Sequence, residues 1–359
     1  MRCVRPIAVL ALAAAVMSVG CICAQPDGAA TGGARKTGPV RIGFSMDTLK
    51  EERWQRDRDL FVARAQELGA EVLVQAANGD DALQTAQAEN LLTQGVDVLV
   101  VAPHNAEVAA SIVDSARRQG VPVLSYDRLI RNSEVDLYIS FDNVKVGEAQ
   151  AKYLLERAPR GNYVLIGGSP TDNNARMFRA GQMNVLQPAI DRGDIRIAAD
   201  QWAREWLASE ALKHTENALT QTKNDIVAVV ASNDGVAGGA VQALGEQSLA
   251  GKVFVSGQDA ELAALQRIVG GTQSMTVYKP VARLALRAAE AAVSLARGEK
   301  VVATSTVNNG KKDVPSILLD SITVDRNNVV DTVIKDGYLK IEDVFRNVPR
   351  ARWPPAPQG

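Results

Sequence analysis

From Val40 onward the chain alternates short runs of β-branched and aliphatic residues with segments whose apolar positions recur at helical spacing. Val40–Met46, Glu71–Asn78, Asp97–Pro103 and Val121–Asp127 read as strands. Glu51–Leu68, Asp81–Gln94 and Ala106–Gln119 read as the helices between them, stopped at Gly69, Gly95 and Gly120. Continuous apolar strands joined by single helices require parallel pairing with right-handed crossovers, so this stretch predicts one doubly wound lobe. The alternation then restarts. Strands are expected at Asp136–Asn143, Asn162–Ser169, Ile195–Trp202, Ile226–Asp234 and Lys252–Asp259, with helices to Ala158, to Arg192, and over Ala208–Leu219, Val236–Leu244 and Glu261–Ile268. A second α/β lobe follows from the same reasoning. After Gln273–Lys279, Pro280 opens a long helix to Arg297. Val314–Leu319 and Asp331–Asp336 are read as short strands that complete the two sheets. The chain is then expected to cross between lobes near Asp142–Asn143, near Lys279 and between Asn308 and Pro315. That places 39–142 plus 280–310 in the first lobe and 143–279 plus 311–345 in the second, with 346–359 as a Pro-rich tail along the surface.

A length of 359 residues suits two such lobes, because single cores stop growing at roughly 250–300 residues. Residues 1–23 read as a signal peptide: Arg2 and Arg5 precede the apolar run Ile7–Gly20, 14 residues long where a spanning helix needs ~20. Export to the periplasm or beyond the cytoplasm is expected. Cys21 follows the small residues Ser18 and Gly20, making it a candidate lipid anchor, and 24–38 has the small, polar composition of a flexible tether. Removing residues 1–20 takes Lys plus Arg from 40 to 38 and the net charge from -1 to -3. There is no cationic excess for phosphates, so nucleic acid is not an expected partner. Cys3, Cys21 and Cys23 all lie in the leader, and His104 and His214 are the only histidines. The body therefore has no thiolate and almost no imidazole for zinc sites, thiol catalysis or a Ser-His-Asp triad.

In doubly wound sheets, ligands bind beyond the carboxyl ends of the strands. Those ends carry Asp47 with Arg53 and Trp54, His104-Asn105, Asp127-Arg128, Ser169 to Asn174, Trp202 and Trp206, Asn233-Asp234, Asp259 and Lys279. A neutral sugar needs this mixture. Its hydroxyls both donate and accept, matching Asp acceptors and Arg, Lys or Asn donors. Its C–H faces pack on flat rings, and three of the four Trp fall at these ends in a chain with only 4% aromatic residues. IGGSPTDNN is not a phosphate-binding G-x-G-x-x-G, and the glycines of Gly235–Ala240 sit inside a helix, where they permit close packing.

The segments ERWQRDRD (52–59), VLSYDR (123–128), YISFDN (138–143), GGSPTDNNA (167–175), ASND (231–234), SGQDAEL (256–262), VYKP (277–280) and NNGKKDVPS (308–316) resemble the D-xylose-binding proteins of bacterial ABC sugar importers. The resemblance runs from Val40 to Tyr338. It implies two α/β lobes joined by a three-stranded hinge, the type 1 periplasmic binding protein fold, closing around one sugar for delivery to a permease and its ATPase complex. Position by position, it implies substrate contacts from Arg53, Trp54, Asp127, Arg128, Asp172, Asn174, Trp206, Asn233, Asp259 and Lys279. Neither catalysis nor a cofactor is implied. Calcium-binding relatives carry a D-x-[DN]-x-[DN] ladder, which Asp325, Asn327 and Val329 break at the third ligand, so no metal is expected.

Blander roles compete at several positions. Asp47, Asp80 and Asp172 suit helix N-caps, Trp202 suits a core plug, and Lys279 before Pro280 suits a hinge. His104 is expected at the rim and His214 on a solvated helix face. The alternative sugars are ribose, arabinose, glucose and galactose. A secreted glycoside hydrolase, with Asp127 and Asp259 as its carboxylate pair, is the alternative of another class, and the effector lobe of a repressor is a third. A monomer is expected, with a chemoreceptor or sensor kinase as a further docking partner.

Overall fold

The protein is described by a computed structural model over residues 38–355. The expected signal peptide, most of the tether and the Cys21 anchor lie outside the described residues.

The first lobe opens with β1 (Val40–Met46), α1 (Glu52–Glu67), β2 (Ala70–Ala76), α2 (Asp81–Thr93), β3 (Val98–Ala102), α3 (Ala110–Arg118), β4 (Val123–Tyr126) and β5 (Leu137–Phe141). The second contains α4 (Asn143–Arg157), β6 (Gly161–Gly167), α5 (Asn173–Asp191), β7 (Ile195–Trp202), α6 (Ala208–Thr222), β8 (Ala228–Ala231), α7 (Asp234–Glu246), β9 (Phe254–Val255), α8 (Leu262–Gly270) and β10 (Thr276–Tyr278). The chain returns with α9 (Val281–Ala296), β11 (Ser305–Asn308) and β12 (Asp313–Leu319), then ends on β13 (Ile322–Val324) and α10 (Ile341–Val344).

One sheet has seven strands in the order β11-β12-β5-β4-β3-β1-β2, and the other has four in the order β7-β6-β8-β9. All pairings within them are parallel except β11 with β12. The central strands of each sheet are buried on both faces. Successive residues of a strand point to opposite sides, so in β3 Val98, Val100 and Ala102 join one core with Phe61 and Ala288, while Leu99 and Val101 join another with Leu91 and Ile112. In β6, Val164 and Ile166 face α6 and α7, and Tyr163 and Leu165 face α4 and α5. This is why the strands read as unbroken apolar runs.

Two expectations about the C-terminal third need correction. Asp313–Leu319 was expected in the second lobe, but β12 pairs in parallel with β5, Ser316 opposite Tyr138 and Leu319 opposite Phe141, so it belongs to the first sheet. The stretch between Asn308 and Pro315 is therefore a β11–β12 hairpin rather than a crossing. Its turn is pinned by Asn309, whose Nδ2 donates to the carbonyls of Ile130 and Ser133 at 3.1 and 2.8 Å. The third crossing falls between Leu319 and Ile322, where β13 begins its antiparallel pairing with β10. These two strands form a sheet of their own, linked to the end of the second lobe's sheet by a bridge between Gln258 and Val277.

The expected strand Asp331–Asp336 is instead a π-helical turn over Val330–Ile334. Asp325 accepts from the Asn327 amide at 2.8 Å just upstream, and Val329 and Val333, four apart, drop into the same core as Phe345. Asp325 also accepts from the Tyr153 hydroxyl at 3.0 Å, tying this segment to α4. The tail is anchored as far as Trp353, whose ring packs 5.9 Å from that of Phe345.

Helices α4 and α5 meet at two glycines. A Cβ on Gly181 would collide with the Val144 carbonyl, and one on Gly147 with the Phe178 carbonyl. Gly239 likewise admits the Ala208 carbonyl between α7 and α6. We expect Gly181→Val to lower the unfolding free energy by roughly 1–3 kcal/mol, the usual range for overpacking. Gly245→Ala, where a Cβ meets nothing within 4 Å, serves as the clash-free control and should hold or raise stability. Equal urea midpoints for the two variants would contradict this account of the α4–α5 contact.

Candidate functional site

The carboxyl ends of both sheets face a single cavity. All ten residues expected there line it: Arg53 and Trp54 from the start of α1, Asp127 and Arg128 after β4, Asp172 and Asn174 at the start of α5, Trp206 after β7, Asn233 before α7, Asp259 after β9, and Lys279 after β10. Glu51, Phe178 and Gln258 complete the lining and were missed. Gln258 precedes Asp259 in the same strand-end motif, and Phe178 lies four residues beyond Asn174 on one face of α5, so both were within reach of strand-end and helical-period reasoning.

Two guanidinium groups organise the charges. Arg53 donates from Nε to Asp57 Oδ2 at 3.0 Å, one helical turn away, and its Nη2 sits 2.8 Å from Asp127 Oδ2. Its Nη1 reaches across to Asp259 Oδ1 at 3.7 Å. Arg128 pairs with Asp47 at 2.5 Å and with Asp172 of the other lobe at 2.9 Å, and donates to the Pro103 carbonyl at 3.2 Å. Both lie over the Trp54 ring, at 4.4 and 5.2 Å from its centroid. Asn174 Nδ2 donates to the Asp127 carbonyl and to its Oδ1, each at 3.1 Å, and Lys279 Nζ lies 3.0 Å from Asp259 Oδ1. Three cations thus stand among five carboxylates, with no excess of positive charge to attract an anion.

The protonation states follow from this arrangement. Burial alone would raise the Asp127 carboxyl, but Arg53, then Lys279 and Arg128, outweigh it and hold Asp127 below the ordinary aspartate value. Burial lowers the Arg53 and Arg128 guanidinium values, yet their carboxylate neighbours leave both above the ordinary arginine value. A carboxylate held ionised is an acceptor and a poor general acid, so Asp127 does not fit the acid of a glycosidase pair.

Capping and site roles coincide rather than compete. Asp172 accepts from the Asn174 amide at 2.8 Å with Oδ1 and meets Arg128 with Oδ2. Asn233 caps α7 through Oδ1, accepting from Val236 N at 2.9 Å, which leaves its amide nitrogen for the cavity. Asp80 is a cap alone, and Asp47 caps nothing, its carboxylate being taken by Arg128. Trp206 packs against Gly168, where any Cβ would strike the ring, and meets Phe178 edge-on at 6.4 Å. Trp202 packs on Gly167 beneath Arg179, outside the cavity lining.

The decisive feature is a set of buried polar atoms without an intramolecular hydrogen bond. Glu51 Oε2, Asn174 Oδ1, Trp206 Nε1 and Gln258 Oε1 are such atoms, and all four residues line the cavity. Asp127 Oδ2 and Asp259 Oδ1 are within ion-pair distance of Arg53 and Lys279, yet no hydrogen bond is directed at either. Leaving such a group unpaired costs on the order of 1–3 kcal/mol, so their convergence from both lobes on one space marks a site for a ligand rich in donors and acceptors. The backbone is strained there too. Asp127 (φ 59°), Glu205 (φ 52°), Trp206 (φ 55°) and Asp259 (φ 96°) are all left-handed, at a cost of roughly 1–3 kcal/mol each that surrounding contacts must offset.

A family profile described as a periplasmic binding protein domain matches residues 42–300. The chain belongs to the periplasmic binding protein family. It is 55% identical over 306 residues to the D-xylose-binding periplasmic protein of Haemophilus influenzae, covering 85% of this chain and 92% of that one. It is 57% identical over 301 residues to the D-xylose-binding periplasmic protein of Escherichia coli, covering 84% and 91%. Among solved structures, a carbohydrate transporter solute binding protein from Chloroflexus aurantiacus in complex with D-glucose is 35% identical, with a TM-score of 0.81 over 86% of this chain and 98% of that one. The fold is the type 1 fold of this family, two lobes of parallel-sheet α/β structure, and its relatives are binding proteins rather than enzymes. Among the described residues, no cluster of three or more His, Cys, Asp or Glu is arranged to hold a metal ion.

Behind the cavity of this periplasmic binding protein lies another buried acid, Asp234. Asp234 accepts from Gln273 Nε2 at 2.8 Å, Thr276 Oγ1 at 2.9 Å and the Glu261 amide at 3.0 Å, fastening α7 to β10 and to the Asp259 loop. Burial raises Asp234 to about 7. It also raises neighbouring Glu261 to about 8, with Asp234, Asp259 and Glu51 adding repulsion. An acid raised on folding keeps a proton that the unfolded chain releases, so stability falls as pH climbs from the ordinary carboxylate range through about 8. Glu261→Gln removes that loss. Its melting temperature should match wild type at pH 4.5 and exceed it increasingly toward pH 9, and a constant difference across that range would refute the assignment.

Proposed function

We propose that this protein is the extracytoplasmic binding protein of an ABC sugar importer, that D-xylose is its ligand, and that the two lobes close on the sugar and present it to the membrane permease and its ATPase complex. The observation that carries this reading is the convergence, from both lobes, of buried polar atoms lacking intramolecular partners on a cavity that has no cationic excess and is bordered by indoles. Sugar hydroxyls supply what those atoms lack. Asp127, Asp172 and Asp259 accept; Arg53, Arg128, Lys279, Asn174 and Asn233 donate; Trp206, seated on Gly168, and Trp54 offer ring faces to the C–H side of a pyranose. Contacts from both lobes to one small molecule give the closed form its differential affinity. The choice of D-xylose follows the two relatives named for that sugar, each more than half identical to this chain. Periplasmic placement follows the same relatives, with the signal segment at 1–23 as the route, a lipid anchor at Cys21 as an accompanying feature, and a monomer as the working form.

A broader monosaccharide range is the second reading. It is favoured by 33% identity over 327 residues to a multiple sugar-binding periplasmic receptor of Rhizobium radiobacter and by the D-glucose-bound relative. Calorimetric titration with xylose, ribose, arabinose, glucose and galactose separates the two: at least tenfold preference for xylose supports the first, and comparable affinities support the second. Asp259→Ala and Arg128→Ala should each weaken binding by about 1.5–3 kcal/mol, the range for hydrogen bonds to charged groups, with native circular dichroism showing that each variant has folded. Unaltered affinity in both, or no heat with any sugar, would remove the assigned site.

A further inference from the structure

His104 follows β3 in the first lobe and points at a carboxylate on each side. Its Nδ1 is 2.7 Å from Asp81 Oδ1 at the start of α2, and its Nε2 is 2.7 Å from Glu205 Oε2 in the turn between β7 and α6 of the second lobe. A neutral imidazole has a single N–H. Two carboxylates at hydrogen-bond distance from the two nitrogens are both satisfied only by the doubly protonated ring.

Each member of this triplet is held in place. The His104 amide donates to Gln84 Oε1 at 2.9 Å, and Asn105 Nδ2 donates to the second Asp81 oxygen at 3.1 Å. Lys50 Nζ, from the β1–α1 loop, donates to the Glu205 carbonyl at 2.8 Å. Glu205 is therefore gripped from the first lobe at both its side chain and its backbone. It directly precedes Trp206, and both residues hold left-handed backbone angles that position the indole on Gly168.

We propose that His104 and Glu205 form a charged latch across the mouth of the cleft, made only when the lobes close, that holds Trp206 in register and couples sugar affinity to protonation. They are positioning residues, since neither lines the sugar cavity. The proposal rests on the sugar-binding function proposed above.

The direction of the coupling follows from which lobe each partner belongs to. On opening, Glu205 leaves with its lobe, while Asp81 and the nearby Asp47 remain beside His104. In the closed form burial opposes the charged ring, but the Glu205 bond, the Asp47 charge and the Asp81 bond outweigh it, and the ring titrates above the ordinary histidine value. The other charged groups facing the same recess are Lys50, Glu51 and Arg128. Because opening removes the Glu205 partner, closure takes up a proton. The latch is fully made below the open-form value and is lost as pH rises through the closed-form value.

The test is calorimetric titration with D-xylose at pH 6.0 and pH 9.0, with the proton count taken at pH 7.5 in pairs of buffers of different ionisation enthalpy, on wild type, His104→Gln and Glu205→Gln. Wild type should bind roughly threefold or more weaker at pH 9.0 than at pH 6.0 and take up protons on binding between those two pH values. Both variants should bind more weakly than wild type at pH 6.0, match it at pH 9.0, and lose that share of the proton uptake. Any pH slope left in the variants belongs to Asp234 and Glu261. Tight xylose binding with the wild-type slope and uptake retained in both variants would overturn the latch and leave the sugar site standing. Failure of wild type to bind any of the five sugars at either pH would overturn the site assignment and the latch with it.

Discussion

The cleft depends on charges that cannot be buried singly. Arg53 and Arg128 are almost wholly withdrawn from solvent, and an isolated guanidinium there would cost several kcal/mol in lost hydration. Each is instead surrounded by carboxylates: for Arg53, Asp57 one turn along the same helix with Asp127 and Asp259 from strand ends, and for Arg128, Asp47 and Asp172 from strand ends. Asp259 and Asp172 belong to the second lobe. The network that neutralises the first lobe's cations therefore also draws the second lobe onto the first, and a sugar entering here joins interactions that the protein alone leaves incomplete.

Such a network works only on a rigid scaffold, and two parallel sheets whose central strands are buried on both faces provide it. Parallel crossovers place every strand's carboxyl end on the same edge, so residues far apart in sequence arrive together without long loops. The remaining adjustment is local and strained. Left-handed backbone at Asp127 and Asp259 turns each carboxylate from its strand into the cavity. Asp127 is kept there by hydroxyls of Tyr138 and Ser140 donating to its carbonyl at 3.0 and 2.6 Å, and Asp259 by its amide donating to the Val277 carbonyl at 2.9 Å. Gly168 performs the matching task for Trp206 by presenting no side chain at all.

The helix–strand alternation and the strand-end residues were legible because both follow from local chemistry. Period, stop signals and the rule for doubly wound sheets need only neighbours in sequence. The C-terminal third was misread for the same reason. Asp331–Asp336 looks like a strand by composition, yet Val329 and Val333 are apolar at helical spacing and had a core waiting for them. Nothing in Asp313–Leu319 states which sheet will accept it, because an apolar strand fits either. Only the free edge of β5 settled its place. Phe178 and Gln258 were passed over as ordinary helix and strand residues, though their spacing from Asn174 and Asp259 carried the information.

What the sequence by itself determined is the alternation of elements, the parallel pairing within each lobe, and the kinds of side chain delivered to the strand ends, since these depend on periodicity and on residue type. What only the tertiary structure decided is which of those side chains face one another. The pairing of Arg128 with Asp172, the placing of His104 between Asp81 and Glu205, and the transfer of β12 to the first sheet all join segments far apart in the chain. Such contacts are selected by the packing of two whole lobes and by the need to neutralise every charge they bury, conditions that exist only after the chain has folded.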